Sequence, residues 1–331
     1  MPEKSILITG SGGFLGGTAT ETLRKAGENV IGTDVNVESE LAQKLKLRRL
    51  DITNREETLA FIWNNLPETI LHFAGISVPK EVANNEALGQ KVNVESVMNL
   101  LDAVVNARKK DPSYNPVILV AGTVEQFGDS TVEGEVLTEE SARNPINPYG
   151  RQKQLMAEKF LQRCIKEGIR GYVIIEGQTA GVSPSGEISQ KKGFLIPDLA
   201  SQVAEIEASG RDQGIIVTGE LSHQRNIIDL NDAIKAWIEV AKKTPKPGEY
   251  IVCAEKSRPL IDVLKILIEN SSVVNIVHEI DKSRGSGGTD RFYSPGKIMV
   301  ATKDWRPEVE LEKTIKDVLE FQRRHLVKGN K

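Results

Sequence analysis

A short strand that ends in glycines and opens directly into a helix constrains this chain more than any other feature. Ser5 to Thr9 is an apolar run followed at once by Thr9-Gly10-Ser11-Gly12-Gly13-Phe14-Leu15-Gly16. Gly10, Gly13 and Gly16 have the spacing GxxGxxG at the head of an amphipathic stretch, Gly13 to Lys25, which Gly27 closes. There the backbone of Gly10 to Gly16, Phe14 and Leu15 included, can approach a pyrophosphate, and a helix start offers unpaired N–H groups at its positive dipole end. Asp34, at the end of the second strand, can accept both ribose hydroxyls and would repel a 2′-phosphate, so NAD is expected as cofactor rather than NADP. Asp51 and Ile52, closing a third strand, form a candidate adenine contact; a turn residue or helix cap is the alternative for Asp34, and a cap for Asp51.

The first half alternates β-branched runs with longer amphipathic segments, the pattern of βαβ units. Strands are expected at Ser5 to Thr9, Asn29 to Thr33, Thr69 to Phe73, Val117 to Ala121 and Gly171 to Ile175, with helices such as Val94 to Ala107 between them. Right-handed crossovers make this an α/β fold, a doubly wound parallel sheet of Rossmann type, joined to a smaller mixed α/β substrate lobe. At 331 residues the chain is long enough for both lobes. The expected division assigns 1–175 to the dinucleotide-binding domain, with 213–243 returning to it, and 176–212 and 244–331 to the substrate lobe.

The formal charge of −3, from 43 basic and 46 acidic side chains, gives no electrostatic reason to expect nucleic acid or a membrane surface as partner. No apolar run approaches the roughly eighteen residues needed to span a bilayer. Cys164 and Cys253 are far apart and His223, His278 and His325 are scattered, so neither a disulfide framework nor a metal site is expected. A reducing cytoplasm is the simplest setting.

The second chemical signal is Tyr149-Gly150-Arg151-Gln152-Lys153, opening a helix after Pro145 and Pro148. Four residues apart on a helix, phenol and ammonium share a face, where Lys153 can stabilise the phenolate and make Tyr149 a usable base.

With these residues the sequence resembles the extended short-chain dehydrogenases/reductases, the nucleotide-sugar epimerases and dehydratases. The resemblance runs through the glycine loop, His72-Phe73-Ala74-Gly75, Asn93-Val94, Thr123 to Gly128, Pro148 through Lys153, Arg225 through Asp232, and Trp305-Arg306-Pro307. It implies that Phe73, Ala74, Gly75 and Asn93 lie at the cofactor, a helix cap being the alternative for Asn93. It further implies that Thr123 hydrogen-bonds the reacting sugar hydroxyl, that Tyr149 and Lys153 are the catalytic pair, and that Arg225 meets the diphosphate of a nucleotide-diphosphate sugar. A homodimer through the helices Val94 to Ala107 and Tyr149 to Lys166 is implied by the same analogy.

Thr123-Val124-Glu125-Gln126-Phe127-Gly128 is similar to the 4,6-dehydratases, in which a carboxylate at the Glu125 position removes the C5 proton and protonates the departing C6 hydroxyl. The segment Gly193 to Glu207 looks most like GDP-mannose 4,6-dehydratases and their companion GDP-6-deoxy-4-keto-hexose reductases. The reading is therefore oxidation at C4 to a 4-keto sugar, with a dehydratase outcome first. A 4-epimerase or a 4-keto reductase is the alternative, and a silent dinucleotide sensor of the same fold is the alternative of another class. Ser77 and Lys80, in the loop after the fourth strand, are candidate sugar contacts, and Arg284, near Gly285, Gly287 and Gly288, is a candidate phosphate clamp. Three departures stand out: Glu176-Gly177-Gln178-Thr179 replaces Arg-x-x-Asn in a loop that holds the diphosphate and makes Thr179 a candidate contact, Phe127 replaces a tyrosine, and Asn226 replaces an aspartate.

Overall fold

The structure, a computed structural model, describes residues 4–129, 132, 134–284 and 289–329. In chain order the strands are β1 (Ile6–Thr9), β2 (Val30–Asp34), β3 (Arg48–Arg49), β4 (Thr69–His72), β5 (Val117–Thr123), β6 (Val136–Leu137), β7 (Arg170–Glu176) and β8 (Gln178–Ala180). Then follow β9 (Gln213–Thr218), β10 (Gln224–Arg225), β11 (Ile227–Asp229), β12 (Gly248–Val252), β13 (Arg258–Pro259), β14 (Asn275–Ile280) and β15 (Phe292–Tyr293). Seven of them form one parallel sheet in the order β12-β7-β5-β4-β1-β2-β3. Buried on both faces, β5 and β7 read as near-continuous apolar runs, as parallel strands do.

Helices cover both faces. On one, Ser96–Lys110 and Pro148–Glu167 contribute Leu100, Val104, Met156 and Phe160 to the core; on the other, Phe14–Lys25 and Leu230–Lys243 contribute Leu23, Ile234 and Trp237. Trp237 is fully buried, and truncating such a side chain typically costs about 3–5 kcal/mol. A third core, built by the helices Leu195–Ala208, Leu260–Glu269 and Leu311–Gly329 with Ile216 and Ile227, belongs to the smaller lobe.

The interleaving of the chain differs from the expected ranges. The Leu230–Lys243 helix packs against the central sheet, whereas β9 pairs with β14 in a separate two-stranded sheet. Conversely β12, inside the stretch expected in the substrate lobe, extends the central sheet beside β7. Its Tyr-Ile-Val core is short and preceded by Lys, Pro and Gly, so the local pattern carries little strand signal.

Candidate active site

The C-terminal ends of β1, β2, β4, β5 and β7 open into one cleft of about 890 Å³, closed on the far side by residues of the smaller lobe such as Phe194, Arg225 and Arg291. Strand order reverses between β1 and β4, and a crevice at such a switch point is where doubly wound sheets bind ligands.

At one end lies the glycine turn. Gly10 has a positive φ of 71°, and a Cβ on Gly16 would collide with the Gly10 carbonyl, so the helix can start this close to the strand only without side chains. Gly13 caps the Phe14–Lys25 helix with no side chain over its first N–H groups and no acidic residue in the first turn, leaving those donors for an anion. Asp34 lines the cleft and is held by two backbone donors, Gly12 N–H at 2.9 Å and Asn36 N–H at 3.0 Å. Asp51 and Ile52 also line it, with Asp51 tied to the Thr53 amide (2.9 Å) and hydroxyl (2.7 Å). Asp51 thus holds a turn while lining the cleft, and the helix that follows is capped by Asn54. A glycine turn at a helix start, an open cleft and an acid at the end of β2 fit a dinucleotide.

At the other end Thr123, Tyr149 and Lys153 meet. The Pro148–Glu167 helix is started by the Asn147 side chain, which accepts from Gly150 N–H at 2.8 Å, with Pro148 in the first turn. A Cβ on Gly150 would sit 2.5 Å from the Glu125 carbonyl, so this glycine lets the helix press onto the end of β5 and brings Tyr149 to Thr123. Tyr149 is 8% exposed and Lys153 6%. Burial pushes the Tyr149 phenol up to about 12, while the Thr123 hydroxyl pulls the other way and the charges of Glu125 and Glu176 add to the rise. Burial also lowers Lys153 to about 8. Its ammonium donates to the Ala121 carbonyl at 2.8 Å and lies 6.0 Å from the centre of the Tyr149 ring. Desolvation thus outweighs the expected lowering of the tyrosine by Lys153.

Glu125, on a single 3₁₀ turn after β5, is held at both oxygens: Arg291 donates to Oε1 at 2.6 Å and Asn147 to Oε2 at 3.1 Å. Arg291 also reaches Asp129 at 3.0 Å. Arg225 stands close enough that the Arg291 charge, after burial, lowers its hold on its proton. Two guanidinium groups thus face one cleft, partly balanced by Glu125 and Asp129.

Phe73, Ala74, Gly75, Ser77 and Thr179 line the cleft, and Lys80 is exposed outside it. Asn93 does not line it. Buried in a π-helical turn, Lys91–Glu95, rather than capping a helix, it accepts from Ile76 N–H at 2.8 Å, donates to Ile76 O at 3.2 Å and so fixes the loop carrying Gly75 and Ser77. The side chain of Arg284 and the glycines after it lie outside the described residues. His72 is buried and pushed down to about 3 by burial and the Lys153 charge, with Thr9 Oγ1 at 2.8 Å. Both cysteines are free and buried; among the described residues no helix is long and apolar enough to cross a membrane and no group of side chains could hold a metal ion.

Sequence reasoning missed Arg291, Tyr293 and the role of Glu176 as cleft residues. Glu176 is 7% exposed, accepts from Trp237 Nε1 and from Thr179 Oγ1, and is raised by burial to about 7.

A doubly wound sheet with a glycine turn at one end of a cleft and a buried tyrosine, threonine and lysine at the other is the fold and crevice of a dinucleotide-binding protein. The sequence pattern of the NAD dependent epimerase/dehydratase family matches residues 6–253, and the chain belongs to that family. It is thus an NAD-dependent enzyme of the epimerase/dehydratase family. Among its relatives, GDP-6-deoxy-D-mannose reductase of Pseudomonas aeruginosa is 22% identical over 270 residues, covering 80% of this chain and 83% of that protein. UDP-glucose 4-epimerase of Lactobacillus helveticus is 23% identical over 318 residues, 92% of each. The fold is shared with UDP-glucose 4-epimerase of Stenotrophomonas maltophila, solved with NAD and formylated UDP-arabinopyranose, at a TM-score of 0.83 and 16% identity over 98% of this chain and 100% of that one.

Proposed function

We propose that this protein interconverts a nucleotide-diphosphate sugar and its C4 epimer through a transient 4-keto sugar, using NAD that stays bound. The observation that carries this reading is the convergence of Tyr149, Thr123 and Lys153 on the same cleft as Asp34 and the glycine turn. Bound NAD supplies the hydride acceptor and donor. Tyr149 takes the proton of the sugar 4-hydroxyl and returns it, and Thr123 orients that hydroxyl. The phenol is held protonated by burial, so the positive charge that arrives with oxidised NAD supports its ionisation. Arg225 and Arg291 bind the diphosphate from the smaller lobe, which acts as the substrate lobe, and Asp34 favours NAD over NADP.

Elimination across C5 and C6, the first expectation, needs Glu125 as a free carboxylate. Here both its oxygens already serve Arg291 and Asn147, which supports a positioning role and favours epimerisation. A 4-keto reductase is the second reading, favoured by the reductase relative from Pseudomonas aeruginosa. The helices Ser96–Lys110 and Pro148–Glu167, side by side on one face, are the proposed contact between two copies. Incubation with a panel of nucleotide sugars, followed by mass spectrometry and NMR, tests the function. Unchanged mass with inversion at C4 supports it, whereas loss of one water restores the dehydratase.

A further inference from the structure

Glu176 is a buried carboxyl in the reacting end of the cleft with no part in the proton transfer described above. It terminates β7 in register with Thr123 on β5, lines the same cavity as Tyr149 and acts on the Tyr149 phenol through its charge. The position is rigid: Trp237 Nε1 and Thr179 Oγ1 donate to its two oxygens, and Trp237 is itself packed against Phe73 at a centroid distance of 4.1 Å. A base and a hydride acceptor must meet at the same carbinol, so a nicotinamide ring serving Tyr149 lies in this end of the cleft. That ring is cationic when oxidised and neutral when reduced.

We propose that Glu176 discriminates the oxidation state of the bound nicotinamide, holding the cationic ring when ionised and accommodating the neutral ring when protonated. The inference rests on the C4 oxidoreduction reading and adds to it a reason for the chain to retain NAD. The other titratable groups facing Glu176 are Tyr149 from the Pro148–Glu167 helix and Cys253 beyond β12, both raised by burial and uncharged near neutrality. Its partners Trp237 and Thr179 do not titrate. Lys153 points its ammonium at Ala121 and, titrating near 8, would act in the same direction at higher pH. Between pH 5.5 and 7.5 Glu176, whose own proton is held to about 7, passes through most of its titration while Lys153 stays mostly protonated, and the Glu176→Gln variant measures what Lys153 contributes.

The test is calorimetric titration of NAD and of NADH into the full chain stripped of nucleotide, at both pH values, for wild type and Glu176→Gln. The amide keeps an acceptor for Trp237 and a partner for Thr179. In wild type, preference for NAD over NADH is expected to rise about sixfold from the lower to the higher pH, the share of one pKa unit of coupling that falls in this range. In Glu176→Gln only the small rise due to Lys153 should remain. Wild type alone provides a second readout: near pH 7, NAD binding should release protons, seen as a dependence of the heat on buffer ionisation enthalpy, and NADH binding should not. A preference independent of pH in wild type, or an equal rise in the variant, overturns the proposal. Failure of both dinucleotides to bind overturns the cofactor reading beneath it, and is told apart by the missing binding heat.

Discussion

Replacing Glu125 by glutamine separates the two chemistries that the sequence leaves open. The carboxylate faces Arg291 at 2.6 Å, and the arginine side chain is only 11% exposed. Breaking a buried pair outright costs about 3–5 kcal/mol because a charge is stranded. Here Asp129 remains at 3.0 Å as a second partner, so the loss is that of one charged hydrogen bond, about 2 kcal/mol. Urea unfolding of Glu125→Gln should show that drop in stability. In single turnover the variant should lose rate through poorer substrate positioning, without accumulating reduced cofactor and without change in deuterium uptake at C5. An unchanged urea midpoint together with persistent NADH, a 4-keto sugar and suppressed C5 exchange would refute this reasoning, because Glu125 would then be the acid–base group of an elimination.

Three further outcomes are expected. Tyr149→Phe should reduce turnover by about 100- to 10,000-fold while NAD affinity, followed by titration, stays within a few fold. Lys153→Met should stabilise the protein against urea at pH 7, where the wild-type ammonium is buried. Because the folded-state value is depressed to about 8, that advantage should shrink as pH rises from 8 to about 10.5; a constant difference between the two proteins would contradict it. NADP should bind more weakly than NAD by several kcal/mol, since Asp34 opposes a 2′-phosphate, and Asp34→Asn should narrow the gap; equal affinities in wild type would remove the role of Asp34.

What was legible in the sequence was local. The glycine turn, Asp34 and the Tyr149–Lys153 spacing each lie within one βα unit or one helix turn, so side-chain type and spacing specify geometry directly. The five strands expected in the first half all appear in the central sheet. Glu125 illustrates the opposite case: its neighbour in sequence marks it as a chemical group, but its partner Arg291 is 166 residues away, and only the tertiary fold brings the pair together. Arg291 and Tyr293 reach the cleft through the same long-range packing, and the glycine-rich neighbourhood draws attention to Arg284 instead. Glu176 was visible as a departure from the family pattern, yet its environment depends on Trp237 from a helix that packs across the sheet. The raised Tyr149 phenol belongs to the same class, since desolvation depends on packing from several elements and a pairwise reading of Tyr149 with Lys153 omits it.

The most direct test of the central claim uses a nucleotide sugar carrying deuterium at C4, incubated with purified protein without added cofactor and followed by NMR. Intramolecular return of hydride from retained NAD predicts the C4 epimer with deuterium still at C4 and no exchange with solvent. Deuterium found at C6 with loss of water, or product formed only when external NADH or NADPH is supplied, would contradict the account.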